Sequence, residues 1–153
     1  MNLQTWAEKW AHFPMILQTI PGFSGHAFSC VGVTGSTNDD LKNDWVNLMA
    51  PPRVHVAAHQ TSGRGQYGRV WVDQPDESLL FSFSWQRPVH EPWVLPPQIL
   101  AGLAVHKALE HFPVDATPPE TLTEGGPDER FAPWLKWPND VWAGRGKLAG
   151  ILT

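Results

Sequence analysis

Gln60 to Trp71 reads QTSGRGQYGRVW, and this stretch decides which nucleotide-binding architectures the chain can adopt. Gly63, Gly65 and Gly68 satisfy G-x-G-x-x-G, the spacing of a dinucleotide-binding turn. Such a turn must open directly into a helix, because the pyrophosphate rests on that helix's N-terminal amides. Here the third glycine is followed by Arg69-Val70-Trp71-Val72 and then DQPDES, a poor helix start. The acidic residue needed about 20 positions further on is also poorly supplied. A Walker-type loop fails as well, since Gly68-Arg69-Val70 stands where Gly-Lys-Ser/Thr is required. What remains is a glycine loop bearing Arg64 and Arg69. Its amides can approach an anion closely, and its guanidiniums suit phosphate oxygens in bidentate fashion. Taken alone, the stretch is equally consistent with a surface turn carrying two solvated arginines.

The flanking sequence places the loop between strands. Val54 to His59 is short, mostly apolar and partly β-branched, so a strand feeds the loop; Ser78 to Trp85 (SLLFSFSW) partly alternates and predicts another. Upstream, Leu3, Trp6, Ala7 and Trp10 recur with helical spacing, a pattern expected to stop at Pro14. Phe28 to Val33 reads as a strand. Ser36-Thr37-Asn38 then offers capping side chains, Asp39 and Asp40 suit a helix N-terminus, and Leu41, Trp45, Leu48 and Met49 form one stripe. These features predict a helix over about 39–49. Pro97 to His111 predicts a second helix, buried along Leu100, Leu103, Ala104 and Ala108. Val141-Trp142, AGRG and Lys147 to Thr153 read as a β-hairpin turning at Gly144 and Gly146. Strands interleaved with helices imply an α/β or α+β domain.

Composition narrows the class. A chain of 153 residues with 42% apolar content suits one compact domain over 1–153. With Cys30 as the single cysteine no internal disulfide can form, which favours a reducing cytoplasmic setting. No apolar run approaches a membrane span. Fifteen acids against 11 bases argue against a broad nucleic-acid footprint. The excess charge is local: residues 112–133 hold five acids and one base, so 113–133, rich in proline and without periodicity, reads as an exposed acidic loop insertion. The seven histidines show no metal-ligand spacing.

A third segment, Leu135 to Leu152, reads LKWPNDVWAGRGKLAGIL. By itself it is a strand end with a Pro-Asn-Asp turn. Together with GSTND at 35–39 and the glycine loop, it resembles the biotin protein ligase family in motif order and approximate spacing, from about Phe28 to the end of the chain. The resemblance implies a mixed sheet backed by helices, related to lipoate ligases and class II aminoacyl-tRNA synthetases. It implies activation of biotin with ATP and Mg²⁺ to biotinyl-adenylate, then transfer to a lysine on the biotin carboxyl carrier domain of a biotin-dependent carboxylase.

By position, the resemblance implies that Lys136 bridges the biotin carboxyl and the α-phosphate, and that Arg64 and Arg69 hold phosphates. The amides of Gly63, Gly65 and Gly68 would close over the intermediate and exclude water. Ser36, Thr37, Asn38 and Gln60 match positions facing the biotin head group, whose ureido ring both donates and accepts hydrogen bonds. Ser36 to Asn38 are equally the side chains a helix cap needs. Asn139 and Asp140 match a pair near the nucleotide, with Asp140 a candidate Mg²⁺ ligand. Trp71 and Trp137 are candidate pocket walls, although nine tryptophans make core packing the commoner role for any one.

The chain departs from the family pattern in two places. The family loop usually reads Gly-Arg-Gly-Arg, and Gln66 replaces the last arginine. The resemblance also stops after KLAGIL, before the later strands that complete the family's pocket, so an incomplete catalytic domain is expected, with an uncovered sheet edge that favours self-pairing or a complementing C-terminal half. A DNA-binding helix-turn-helix ahead of the catalytic region, and with it a repressor role, is not expected. A lipoate or octanoyl ligase on the same scaffold is the competing enzyme, with the Trp-Pro-Asn-Asp and GRGxxGR signatures against it. A noncatalytic biotin-binding or assembly protein is the competing class.

Overall fold

β-Branched and small apolar residues dominate both 27–34 and 53–60, and both segments extend into strands: β1 (Ala27–Thr34) and β2 (Arg53–Gln60). They pair in parallel, with Ala27 opposite Arg53 and Thr34 opposite Gln60. β3 (Leu80–Phe83) joins the other side of β2 antiparallel, giving a mixed sheet in the order β1-β2-β3. The computed structural model describes residues 6, 8–45, 52–74, 77–84, 90, 92, 95–111, 133–143 and 146–153. The acidic stretch 112–132, the end of the predicted stripe at Leu48 and Met49, and the turn residue Gly144 lie outside these residues. The chain divides into two compact units, Met1–Val89 and His90–Thr153.

In the first unit α1 (Phe13–Thr19) covers one side of the sheet. Trp6, Glu8 and Lys9 are helical and the chain turns at 10–12, so the first helix ends before Pro14 as expected. Pro14 then occupies the first turn of α1, where a missing N–H costs nothing and the fixed φ suits the helix. Leu17 inserts beside Val54 and Val56, and Trp6, Trp10, Phe13, Phe23 and Phe28 pack around that cluster. Two of the tryptophans, Trp6 and Trp10, therefore pack on the core, Trp10 meeting Phe13 edge-on with centroids 5.3 Å apart. α2 (Thr37–Trp45) lies against β2 and β3. Ser36 caps it, its Oγ accepting the Asp39 N–H at 3.4 Å.

A partly buried polar chain ties α2 to both parallel strands. Ser29 Oγ lies 2.6 Å from His55 Nδ1, and His55 Nε2 lies 3.0 Å from Asp40 Oδ2, which also accepts the Thr34 hydroxyl. Partial burial pushes the Cys30 thiol up, away from reactive thiolate chemistry.

The second unit is an antiparallel meander of β4 (Pro133–Lys136), β5 (Asp140–Ala143) and β6 (Gly146–Gly150), with α3 (Pro97–Leu109) against β4 and β5. The expected hairpin at its end is present. The face of α3 differs from the expected one: Leu100 and Leu103 are exposed, and the buried residue is Gly102. The helix is apolar nearly all round, so periodicity cannot select its contact face. Closeness of approach selects it, because a Cβ on Gly102 would stand 3.0 Å from Leu135 Cδ2.

This contact predicts opposite responses to small and large substitutions. Gly102→Ala gains helix propensity of about 1 kcal/mol and meets only the tip of a flexible side chain, so it is expected to be near neutral. Gly102→Leu is expected to lose about 1–3 kcal/mol by overpacking. Urea denaturation distinguishes the two, and equal midpoints would show that α3 does not dock through Gly102.

Candidate functional site

Parallel pairing sends the C-terminal ends of β1 and β2 to one edge of the sheet, and each continues into a motif. Thr61 N–H donates to Thr34 O and Ser62 N–H to Gly35 O, both at 2.9 Å, so the GSTND turn and the start of the glycine loop run side by side. Across this junction Gln60 Oε1 accepts the Thr37 N–H at 2.8 Å and the Thr37 hydroxyl at 3.1 Å. Because that hydroxyl donates to Gln60, Ser82 Oγ, 2.9 Å away, is left as the donor to Thr37 Oγ1. Ser36 and Thr37 are buried. Both act first as structure, Ser36 as cap and Thr37 as a brace joining α2, β2 and β3. Asn38 is half-buried beside them.

The glycine loop is itself a short hairpin. Trp71 N–H donates to Gly63 O and Gly65 N–H to Arg69 O, both at 2.8 Å, with Arg64 bridged to Val70 between them. The two sides run so close at Gly63 that a Cβ there would lie 2.9 Å from Trp71 O. A 3₁₀ turn, Gln66–Gly68, closes the tip, with Tyr67 at φ 59° and Gly68 at φ 72°. Tyr67 is 91% exposed, so a left-handed, bulky residue is presented at the apex without core contacts to require it. Arg64 and Arg69 are exposed, and Gln66 is half-buried. Arg64 pairs with Asp39 in the first turn of α2, which joins the second motif to the first by charge as well as by backbone.

In the second unit, Lys136 ends β4 opposite Asp140, and the intervening turn contains a cis Trp137–Pro138 bond. Strand alternation puts Leu135 and the fully buried Val141 toward α3 and leaves Trp134, Lys136, Asp140 and Trp142 on the other face. On that face the Lys136 ammonium stands 4.3 Å from the Trp142 ring centroid. Lys147, opposite Trp142 on β6, brings its Nζ to 2.7 Å from Asp140 Oδ1, an ion pair short in distance but not aligned as a hydrogen bond. Asn139 clamps the strand end: its side chain donates to Ile151 O at 3.1 Å and its carbonyl accepts the Ile151 N–H at 2.8 Å. Trp137 is 75% exposed, whereas Trp71 is half-buried at the loop stem.

Each unit thus gathers its own share of the proposed residues. Ser36, Thr37, Asn38, Gln60 and the loop residues share the first, and Lys136, Asn139 and Asp140 the second. Lys147 carried no role in the sequence reading. Its signal was present as the lysine two residues from Arg145, but only strand pairing shows that it joins Lys136 on one face.

A sequence profile of the biotin/lipoate A/B protein ligase family matches residues 31–153. The chain belongs to this family. It is 39% identical over 129 residues to a biotin–[acetyl-CoA-carboxylase] ligase of Mycobacterium tuberculosis, covering 80% of this chain and 42% of that protein. It is 24% identical over 136 residues to the bifunctional ligase/repressor BirA of Escherichia coli, covering 89% of this chain and 37% of that one. The fold resembles the crystal structure of biotin protein ligase from Leishmania major in complex with biotin, with TM-score 0.61, 27% identity and coverage of 82% of this chain and 50% of that one. A biotin acetyl coenzyme A carboxylase synthetase from Helicobacter pylori with bound biotinylated ATP gives TM-score 0.51, 26% identity and coverage of 83% and 54%. The chain therefore spans about half the length of these relatives or less. The mixed sheet and helices expected for a biotin/lipoate ligase fold are present. No helix among the described residues is long and apolar enough to cross a membrane.

The brace at Thr37 can be tested without any ligand. Gln60→Ala removes the acceptor of two buried donors and is expected to cost about 1–3 kcal/mol of stability. An unchanged denaturation midpoint would show that the two motifs are held together by other contacts.

Proposed function

We propose that the chain carries part of a biotin protein ligase site, which activates biotin as biotinyl-5′-AMP and delivers the biotinyl group to a lysine of a carrier protein. The observation that carries this reading is the junction at the end of β1 and β2. There the hydroxyl and carboxamide side chains suited to a neutral ureido ring lie directly beside an arginine-bearing glycine hairpin suited to phosphate. The relatives named above as biotin ligases support it.

The chemistry is a problem of charge. A carboxylate oxygen of biotin attacks the α-phosphorus of ATP, the bond to the bridging oxygen breaks, and pyrophosphate leaves with that electron pair. The carrier's lysine amine then attacks the acyl carbon, loses a proton and displaces AMP. Two anions must meet in the first step, so fixed cations lower its barrier. Arg64 and Arg69 supply guanidiniums on the hairpin. On the face of the second unit Lys136, held over Trp142, and Lys147, held by Asp140, supply point charges that an arginine would not reproduce.

Among the described residues no three His, Cys, Asp or Glu side chains converge to cage a metal. Asp140 offers one hard carboxylate, donor chemistry that suits a magnesium ion arriving on ATP and keeping most of its waters. Such an ion supplies neutralisation of phosphate charge when bound.

Calorimetry with biotin and with lipoate, followed by mass spectrometry after addition of ATP, tests the reading. Biotin binding and a biotinyl-adenylate product are expected; a preference for lipoate, or binding without turnover, would contradict it. Lys136→Ala and Lys147→Ala are each expected to lower adenylate formation by about 10²-fold or more. If either left turnover unchanged, the role given to that ammonium would be wrong. Gln66→Arg, which restores the family's usual loop residue, is expected to slow adenylate release; an unaltered off-rate would remove Gln66 from the retention of the intermediate.

A further inference from the structure

Asp73 lies outside every motif considered above, yet its side chain is only 1% exposed. A buried carboxylate is costly unless donors meet it. Two groups meet this one: His59 Nδ1 lies 2.8 Å from Oδ2, and the Gln60 N–H donates to Oδ1 at 3.4 Å. His59 and Gln60 end β2 immediately before the glycine hairpin, and Asp73 follows two residues after Trp71, where the hairpin's ladder ends. One carboxylate therefore ties the incoming stem to the outgoing stem.

The consequences run in two directions from that tie. Along the hairpin, the Trp71–Gly63 and Gly65–Arg69 bonds transmit the aim of the stem to Arg64 and Arg69, and the missing side chain at Gly63 lets the two sides run close enough to make them. Across the sheet, the Gln60 backbone held by Asp73 carries the carboxamide that braces Thr37. We propose that Asp73, acting with His59, is a positioning residue: it fixes the base of the glycine hairpin so that the phosphate-facing arginines and Gln60 keep their mutual register. This rests on the ligase reading for the identity of the ligand, but not for the mechanics of the loop.

Two readouts on the full chain separate positioning from mere stability. The first is the rate of tryptic cleavage after Arg64 and Arg69 in ligand-free protein, measured beside the thermal midpoint. The second is the release rate of preformed biotinyl-adenylate. His59 is 42% exposed, so His59→Ala is expected to fold even if Asp73→Asn does not. His59→Ala and Asp73→Asn are expected to raise loop cleavage and adenylate release by roughly tenfold, as loss of a hydrogen bond to a charged group implies. His59→Asn, whose carboxamide nitrogen falls near the place of Nδ1, is expected to restore both rates. Unchanged cleavage in His59→Ala would overturn the proposal, and so would cleavage that rises only in step with a fallen midpoint or that His59→Asn fails to restore. If wild-type protein binds no adenylate, the ligase reading falls while the cleavage series still decides whether Asp73 sets the loop.

Discussion

The parallel pairing of β1 with β2 is the constraint on which the first unit depends. Antiparallel strands would send the GSTND turn and the glycine loop to opposite ends of the sheet. Parallel ones end together, and the register that sets Thr34 opposite Gln60 puts a helix N-terminus and the glycine hairpin within one hydrogen bond of each other. The pairing is reinforced where it is chemically expensive to be wrong. Ser29, His55, Asp40 and Thr34 form a polar chain that is satisfied only in this register, and a slip of one residue would bury His55 without its partners.

The second unit solves a different problem with the same economy of means. A three-stranded meander has two faces, and α3 can seat on only one. Gly102 lets the helix approach Leu135 closely and seals the face carrying Val141. The other face is left to two ammonium groups, each held by a different device: a ring face for Lys136 and a carboxylate for Lys147. A ring face leaves the Lys136 charge in place, whereas the carboxylate of Asp140 offsets much of that on Lys147.

Much of this was legible in residue order. β-Branched runs marked the strands, Ser36-Thr37-Asn38 marked the region of the cap, and the failed Rossmann and Walker contexts removed those two phosphate loops. Motif order identified the family, whereas Lys147, which strand pairing sets on the same face as Lys136, drew no notice in the sequence. What stayed hidden was whatever depends on non-local approach. The helix before Pro14 ends as its pattern implies, but the one that Pro14 opens shows itself only when Leu17 meets Val54 and Val56. A uniformly apolar α3 has no face until a glycine meets Leu135. His55 and His59 look alike in an apolar strand, and only the partners Asp40 and Asp73, 15 and 14 residues away, give them their tasks.

The central claim is that one ligand-binding junction is built where β1 and β2 end. Amide chemical shifts of ¹⁵N-labelled protein during titration with biotin test it most directly. The largest perturbations are predicted within 35–38 and 60–69, changing together along a single binding curve. Perturbations confined to other parts of the chain, with those two segments unmoved at saturation, would contradict it.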